Sequence, residues 1–528
     1  MTETADQIDL LLRTVADVAL REREEFDRLD DAAGDGDFGT TLARGVAALA
    51  ANPPGGEAAE RLRAASEAVT DAMGGSSGPL CGIALLRASE SLGAGRAGSA
   101  ELVRAAIAGI QEFGEAEQGD KTVIDALIPL AEALENGADA AGAAREAADG
   151  TTDIEARRGR AAYAGARSSG APDPGAVCVA VVAEALAQAG DPPGWEELAG
   201  GRTDLGDGDE PAAPTGFAGD ADSFVSDAVD GYVRANASVL ARVDGSQAVV
   251  RRDLGDDDSR VRLVSGGGAG HEPMHAGFVG AGMLDAAVPG AVFTSPSPGE
   301  VLAATRAVGG SAGVLHVVKS YTGDILNFRM AAEFASDEGI EVEAVVVDDD
   351  VAIAADSDTP RRGTGVTIVV EKVAGALAAE GAPLAEVAEI ARRVVERGRS
   401  FGVALHDDKM ELGVGIHGEP GREPVPIEPA GAIAAAMLDP ILEELPPDAP
   451  LLVLLSGLGG TPPLQLSVLF EHVAAELDTR GRDVRRSVVG DLITSLDQAG
   501  AVLTVVALDD DLTRLWDAPS SAPAFTRG

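Results

Sequence analysis

The sequence predicts a multidomain chain, an all-α helical barrel or bundle followed by a two-lobed α/β region. Three observations predict it. Residues 1–195 carry apolar side chains at helical spacing with no long β-branched run. Residues 196–221 lose all periodicity. Beyond 222, short β-branched runs alternate with helical patterns, as in layered α/β folds with a largely parallel sheet. The 528 residues fit about three domains at roughly 150 residues each.

Each element follows from local pattern. Ile8, Leu11, Leu12, Val15 and Val18 form one helical face, and a charged stretch from Arg21 to Arg28 follows. Ala- and Leu-rich stretches repeat this style to about 195. The segment GGRTDLGDGDEPAAPTGFAGDAD has the Gly, Pro and Asp content of a linker. Strands are predicted at 261–265, 313–318, 342–347, 366–370 and 451–455, and helices at 300–307 and 384–396. The break between lobes is placed near 400, which divides the α/β region into 222–400 and 401–528.

Composition narrows the function. The formal charge is −46, and apolar residues make up 45 % of the chain. Such an acidic surface repels nucleic acid and anionic membranes, while a local basic pocket for a small anion remains compatible. Lysine occurs only at 121, 319, 372 and 409. A high-GC genome and a salt-rich cytoplasm both fit this balance. Cys81 and Cys178 are too few for a disulfide framework and too far apart for a cysteine-based zinc site. The start MTETADQ lacks a basic n-region, and no apolar run approaches the roughly 18 residues that span a bilayer. The expected location is the cytoplasm.

In the first half the sharpest motif is LDDAAGDGDFGTTLARG, 29–45. It sets Asp30, Asp35 and Asp37 among glycines, just before a helix start at Phe38, Gly39, Thr40 and Thr41. Hard carboxylate oxygens suit Mg²⁺, and free N–H groups at a helix start suit phosphate. The rival reading is a solvated acidic turn. GDGD recurs in the linker at 206–209 without the upstream Asp or the helix start, so those four residues alone carry little. MGGSSGPL (73–80), GDKTVIDAL (119–127) and GRAAYAGARSSGAPDPGA (159–176) are further anion candidates through Ser76, Ser77, Lys121, Thr122, Arg160 and Arg167. Each alone is more often an ordinary loop–helix junction. The dipeptide Gly-Lys is absent, which excludes a Walker A loop.

In the second half, VRLVSGGGAGHEPMH (261–275) runs from a strand through a glycine loop toward an expected helix. The formal zincin match HEPMH is discounted, because glycines precede His271 and Pro273 sits between the histidines. The glycine run is not G-x-G-x-x-G either. What remains is a loop at the carboxyl end of a strand, where α/β sheets bind ligands. VVKSYTGDILNF (317–328) puts Lys319, Asp324 and Asn327 at another strand end. ELGVGIHGEPG (411–421) encloses His417 among glycines with Glu419 nearby. His316, His406 and His472 are read as structural or surface residues.

Together these segments resemble the dihydroxyacetone kinase family. GDGD, GGSSGPL, GDKT and DPGA resemble its helical nucleotide-binding L domain. SGGGAGHEP, YTGDILNF, GIHGEPG, GLGGTP and TSLD resemble its substrate-binding K domain. The resemblance implies that Asp30, Asp35 and Asp37 hold Mg²⁺. It implies that Phe38, Gly39, Thr40, Thr41, Ser76, Ser77, Gly114, Val123, Arg160, Asp173, Pro174 and Gly175 contact ATP or ADP. It further implies that His417 adds covalently to the substrate carbonyl. His271 and Asp324 then bind substrate and help deprotonate its hydroxyl, and Gly268, Ala269, Gly270 and Lys319 line the pocket.

The implied activity is ATP-dependent phosphorylation of dihydroxyacetone or a close short ketose or triose by a homodimer. A phosphoenolpyruvate relay with bound ADP, a non-catalytic sugar sensor and a flavin-nucleotide cyclase side activity stay open. Two departures from the family pattern stand out. L precedes K, and only HDDKM (406–410) separates GVAL from ELGVGIHG.

Overall fold

The computed structural model describes residues 5–31, 36–73, 77–158, 168–188, 190–200, 217, 223–255, 259–355, 357, 359–406, 408–419, 421–422 and 424–528. Contacts divide the chain into two units, Met1–Ala218 and Gly219–Gly528. No helix among the described residues is long and apolar enough to cross a membrane.

Among its described residues the first unit is all-helical. Its helices are α1 (Ala5–Arg21), α2 (Arg23–Asp31), α3 (Phe38–Ala51), α4 (Ala58–Ala72), α5 (Ser77–Gly93), α6 (Ser99–Gly114), α7 (Ile124–Asn136), α8 (Ala140–Gly150), α9 (Pro174–Ala187) and α10 (Trp195–Gly200). The face expected on α1 is met in part: Ile8, Leu12 and Val18 are buried, Leu11 and Val15 are half-buried, and the helix packs against α3, α4 and α9. The start of the expected linker folds differently. Residues 195–200 form α10, because Trp195 donates its Nε1–H to Asp9 at 3.0 Å and Leu198 buries beside Ala16, Ala19 and Val46. These apolar anchors hold α10 on the bundle despite the surrounding Gly and Pro.

The second unit holds β1 (Leu240–Arg242), β2 (Val249–Arg251), β3 (Arg262–Ala269), β4 (Ala286–Val292), β5 (Val314–Lys319), β6 (Val342–Val347), β7 (Gly398–His406), β8 (Lys409–Leu412), β9 (Val425–Pro426), β10 (Leu451–Gly457), β11 (Val484–Gly490), β12 (Gly500–Ala507), β13 (Ser520–Ala522) and β14 (Phe525–Arg527). Its helices are α11 (Phe224–Ala235), α12 (Pro298–Val308), α13 (Thr322–Asp337), α14 (Val366–Ala379), α15 (Leu384–Glu396), α16 (Ala430–Glu443), α17 (Pro463–Thr479) and α18 (Asp510–Asp517). One six-stranded sheet has the order β1-β2-β4-β3-β5-β6, the other β11-β10-β12-β7-β8-β9, and β13 and β14 form a hairpin.

Three expectations are corrected. The first sheet is parallel through β4, β3, β5 and β6, whereas the second is antiparallel except for β10 with β11. The β-branched run 366–370 opens α14 and is not a strand. Every residue from Val366 to Ala376 is buried, and the helix packs against strands of both sheets and against α15 and α18. Burial on all sides outweighs the modest helix penalty of β-branched residues. Finally, no regular helix follows the glycine loop at 266–270. Turns lead through a short 3₁₀ stretch, Ala276–Phe278, into β4.

Candidate active site

The site of the second unit gathers at the carboxyl ends of β3 and β5, facing a loop that follows β8. Both strands are buried along their whole length, so only their exits can reach a ligand. β3 delivers Gly268, Ala269, Gly270 and His271, β5 delivers Lys319, and the first turn of α13 delivers Asp324. Gly270 has φ +102°, a left-handed bend that L side chains resist, and the chain turns there to present His271. Gly267 is needed for a different reason: an added Cβ would lie 2.1 Å from Lys319 Nζ.

His417 meets His271 here. Their Nε2 atoms are 3.0 Å apart and their rings cross edge-to-face at 4.6 Å. Phe293 stacks on His271 at 5.3 Å, and Tyr321 packs edge-on against His417 at 4.4 Å. His271 is fully buried, while His417 keeps 18 % of its side chain exposed.

Hydrogen-bond partners fix the protons. His271 Nδ1 lies 2.7 Å from the Thr494 carbonyl oxygen, which only accepts, so Nδ1 carries the proton and Nε2 a lone pair. His417 Nδ1 lies 3.4 Å from Glu419 Oε1, and Glu419 Oε2 also accepts the His417 backbone N–H at 2.9 Å. A carboxylate there favours a proton on His417 Nδ1 too. Two bare Nε2 atoms at 3.0 Å would repel, so His417 Nε2–H is the donor to the His271 lone pair.

Burial, then the charges of His417 and Lys319, hold His271 well below the usual imidazole range. Burial alone would raise Glu419. The hydrogen bond and charge of His417 outweigh it, and Glu419 is pushed down to about 2. An ionised Glu419 therefore faces the His417 ring.

Lys319 is fully buried. It donates to the Gly266 carbonyl and to His275 Nε2, both at 2.9 Å, and stands 3.4 Å from Asp324 Oδ2. HEPMH is no zinc motif in space. His271 faces His417, whereas His275 faces Lys319 and Glu371. Sequence reasoning missed Phe293, Tyr321, His275, Glu371 and Thr494. Of these, His275 lay in HEPMH, Tyr321 opened YTGDILNF and Thr494 opened TSLD, whereas no motif marked Phe293 or Glu371.

In the helical unit, Asp35, Ser76, Arg160 and Arg167 lie outside the described residues. The other nucleotide candidates fall at helix ends. Phe38, Gly39, Thr40 and Thr41 open α3, Ser77 opens α5, Gly114 closes α6, and Val123 precedes α7. Asp173 caps α9, accepting the Ala176 N–H at 2.7 Å, with Pro174 and Gly175 in its first turn. Gly175 sits against Val123, whose Cβ would be 3.3 Å from an added Cβ. Thr40 is not a free hydroxyl, since both its N–H and its Oγ1 donate to Asp27. Lys121 is likewise engaged, its ammonium held by the carbonyls of Ile154, Ser168 and Ala171 at 3.1, 2.6 and 2.7 Å.

Asp30 Oδ2 accepts the Asp37 N–H at 3.1 Å. Burial raises both carboxyls, and the charge of Asp37 raises Asp30 further. Asp173 is pushed up to about 7 by burial and by the charges of Asp125 and Asp30. No group of three His, Cys, Asp or Glu side chains suited to a metal occurs among the described residues. Asp30 and Asp37 nonetheless fit a hard dication, because they bring two carboxyls together in a partly desolvated place where burial outweighs the charge of Arg44.

Residues 230–524 match the Dak1 domain, more than half of the chain, and residues 32–188 match the DAK2 domain. The chain belongs to the dihydroxyacetone kinase family. Among family members, it is 41 % identical over 308 residues to the dihydroxyacetone-binding subunit of PTS-dependent dihydroxyacetone kinase 1 from Listeria innocua, covering 55 % of this chain and 93 % of that one. It is 40 % identical over 322 residues to triokinase/FMN cyclase from Bos taurus, covering 57 % of this chain and 56 % of the bovine protein. It thus spans about half the length of that relative. The crystal structure of the dihydroxyacetone kinase from C. freundii, in complex with AMP-PNP and Mg²⁺, superposes with TM-score 0.56 and 36 % identity over 59 % of this chain and 61 % of that one. In this member the DAK2 match precedes the Dak1 match.

Proposed function

We propose that the chain phosphorylates dihydroxyacetone, or a close short ketose or triose, with Mg-ATP, holding the carbonyl as a hemiaminal on His417. The observation that carries this reading is the His271–His417–Glu419 arrangement. His417 presents Nε2 from a partly exposed ring whose far nitrogen is held by a carboxylate.

When the shared proton leaves the Nε2–Nε2 contact, His417 Nε2 has a lone pair to give. It bonds to the carbonyl carbon, the C=O π pair moves onto oxygen, and that oxygen takes up a proton. Glu419 takes the positive charge of the alkylated ring through Nδ1–H. Glycerol has hydroxyls but no carbonyl, so it gains nothing from this bond. Asp324 and the bare Nε2 of His271 are the acceptors for the proton of the terminal hydroxyl as it attacks the γ-phosphoryl group. Asp30 and Asp37, with Asp35, would hold Mg²⁺, which offsets phosphate charge in the transition state.

A second reading is a phosphoenolpyruvate-fed relay with ADP kept bound, favoured by the likeness to a PTS-dependent subunit. The presence of both domain matches on one chain favours direct ATP use. Incubation of purified protein with Mg-ATP and dihydroxyacetone tests this, with ADP release as the readout. Release only after addition of a phosphotransferase extract supports the relay. Homodimerisation through the second unit belongs to the same reading and is read by sedimentation.

A further inference from the structure

Behind Lys319 lies a polar group that this chemistry does not use. Glu371, from the middle of α14, is fully buried, and its Oε1 lies 2.7 Å from His275 Nδ1. His275 Nε2 in turn lies 2.9 Å from Lys319 Nζ. Ser265 Oγ stands 3.1 Å from His275 Nδ1 while donating to the Val317 carbonyl at 2.8 Å. Glu371 Oε2 is buried with no hydrogen-bond partner.

The proton inventory of Lys319 decides what this group does. An ammonium has three N–H donors and no acceptor. Around Nζ stand the Gly266 carbonyl, Asp324 and His275 Nε2. His275 Nε2 must therefore be bare, and the ring proton sits on Nδ1, where Glu371 accepts it. The opposite tautomer would aim an N–H at the ammonium, and Lys319 would turn away from its place beside Asp324. An apolar side chain at 371 would fill the same space without selecting a tautomer.

We propose that Glu371 and His275 form a buried positioning dyad that selects the His275 tautomer and thereby aims the Lys319 ammonium at Asp324. The dyad acts through Lys319 and does not touch substrate. It rests on the kinase reading only for its effect on turnover. The tautomer is a property of the chain without substrate.

The experiment uses full-length protein labelled with ¹⁵N-histidine, with long-range ¹H–¹⁵N spectra to assign the six imidazoles. In the native chain His275 is expected neutral with its proton on Nδ1 at neutral pH. A proton on Nε2, or an imidazolium, would overturn the proposal without any variant. Glu371→Met keeps the volume and removes the acceptor. It is expected to shift the tautomer and lower kcat about 10²-fold, with KM for dihydroxyacetone little changed. Glu371→Gln keeps an acceptor oxygen and is expected to retain both. A Met variant that turns over like the native chain would overturn the dyad and leave Glu371 as packing. Failure of the kinase reading shows elsewhere, as absence of ketone-dependent ADP release from the native chain.

Discussion

His271 Nε2 and His417 Nε2 stand 3.0 Å apart, joined by one proton, in a protein where the two residues are 146 positions apart in sequence. The contact brings a loop at the end of β3 against a loop after β8, so each sheet contributes one histidine. His271 is fully buried and fixed by Thr494, and His417 is the ring that can be reached. The proposed roles of base and nucleophile rest on this asymmetry.

Replacing His417 by Ala removes the nucleophile and leaves a pocket that binds hydroxyls. The expected result is a fall in kcat/KM for dihydroxyacetone of about 10²-fold or more, with much less change for glycerol. Parallel rates of ADP release with the two substrates check this. Intact discrimination against glycerol in the variant would contradict covalent selection.

Glu419→Gln tests the orientation of the nucleophile. Glu419 is held at about 2 because it partners His417, so the neutral amide no longer stabilises a proton on Nδ1 or the alkylated ring. Turnover is expected to fall at least about tenfold with the fold unchanged. Trapping of the ketone adduct by reduction and mass spectrometry should lose yield in step.

Asp37→Asn separates metal binding from stability. Burial raises Asp37, and its charge raises Asp30, so the neutral amide is expected to raise the melting temperature without metal. The additional stabilisation that Mg-ATP gives the native chain should then shrink. Thermal melts with and without Mg-ATP read both effects.

Glu371 gives stability a pH dependence of defined sign. Burial pushes it up to about 8 from the usual 4.5, so the native chain keeps a proton that the unfolded chain loses. Between about 4.5 and about 8, unfolding releases this proton, so its contribution to stability declines as pH rises and levels off above about 8. The buried His271 and His275 act with the opposite sign, losing stability as pH falls below about 6.5. The melting temperature of the native chain relative to Glu371→Met should therefore fall from pH 5 toward about 8. A constant difference across that range would contradict the assignment.

Much of this was legible in sequence, for a physical reason. Glycine loops at strand ends leave a local signature, because a tight turn such as that at Gly270 needs glycine whatever the rest of the chain does. His271, Asp324 and His417 stood next to such loops. Glu371 stood in VTIVVEKVAG, where β-branched residues suggested a strand. Only the packing of α14 against both sheets makes that segment a helix and turns the carboxyl toward His275. Thr494 contributes a backbone carbonyl, which no residue type announces. Lys121 looked like an anion ligand because of its motif, yet three distant carbonyls consume its ammonium.

A carbonyl held by His417 is the proposed basis of substrate selection. The most direct measurement is ADP release by purified protein with Mg-ATP and, in turn, dihydroxyacetone, glyceraldehyde, erythrulose and glycerol. Release is expected with dihydroxyacetone or another of the carbonyl substrates and none above background with glycerol. Equal release with glycerol, or no carbonyl-dependent release even after addition of a phosphotransferase extract, would contradict it.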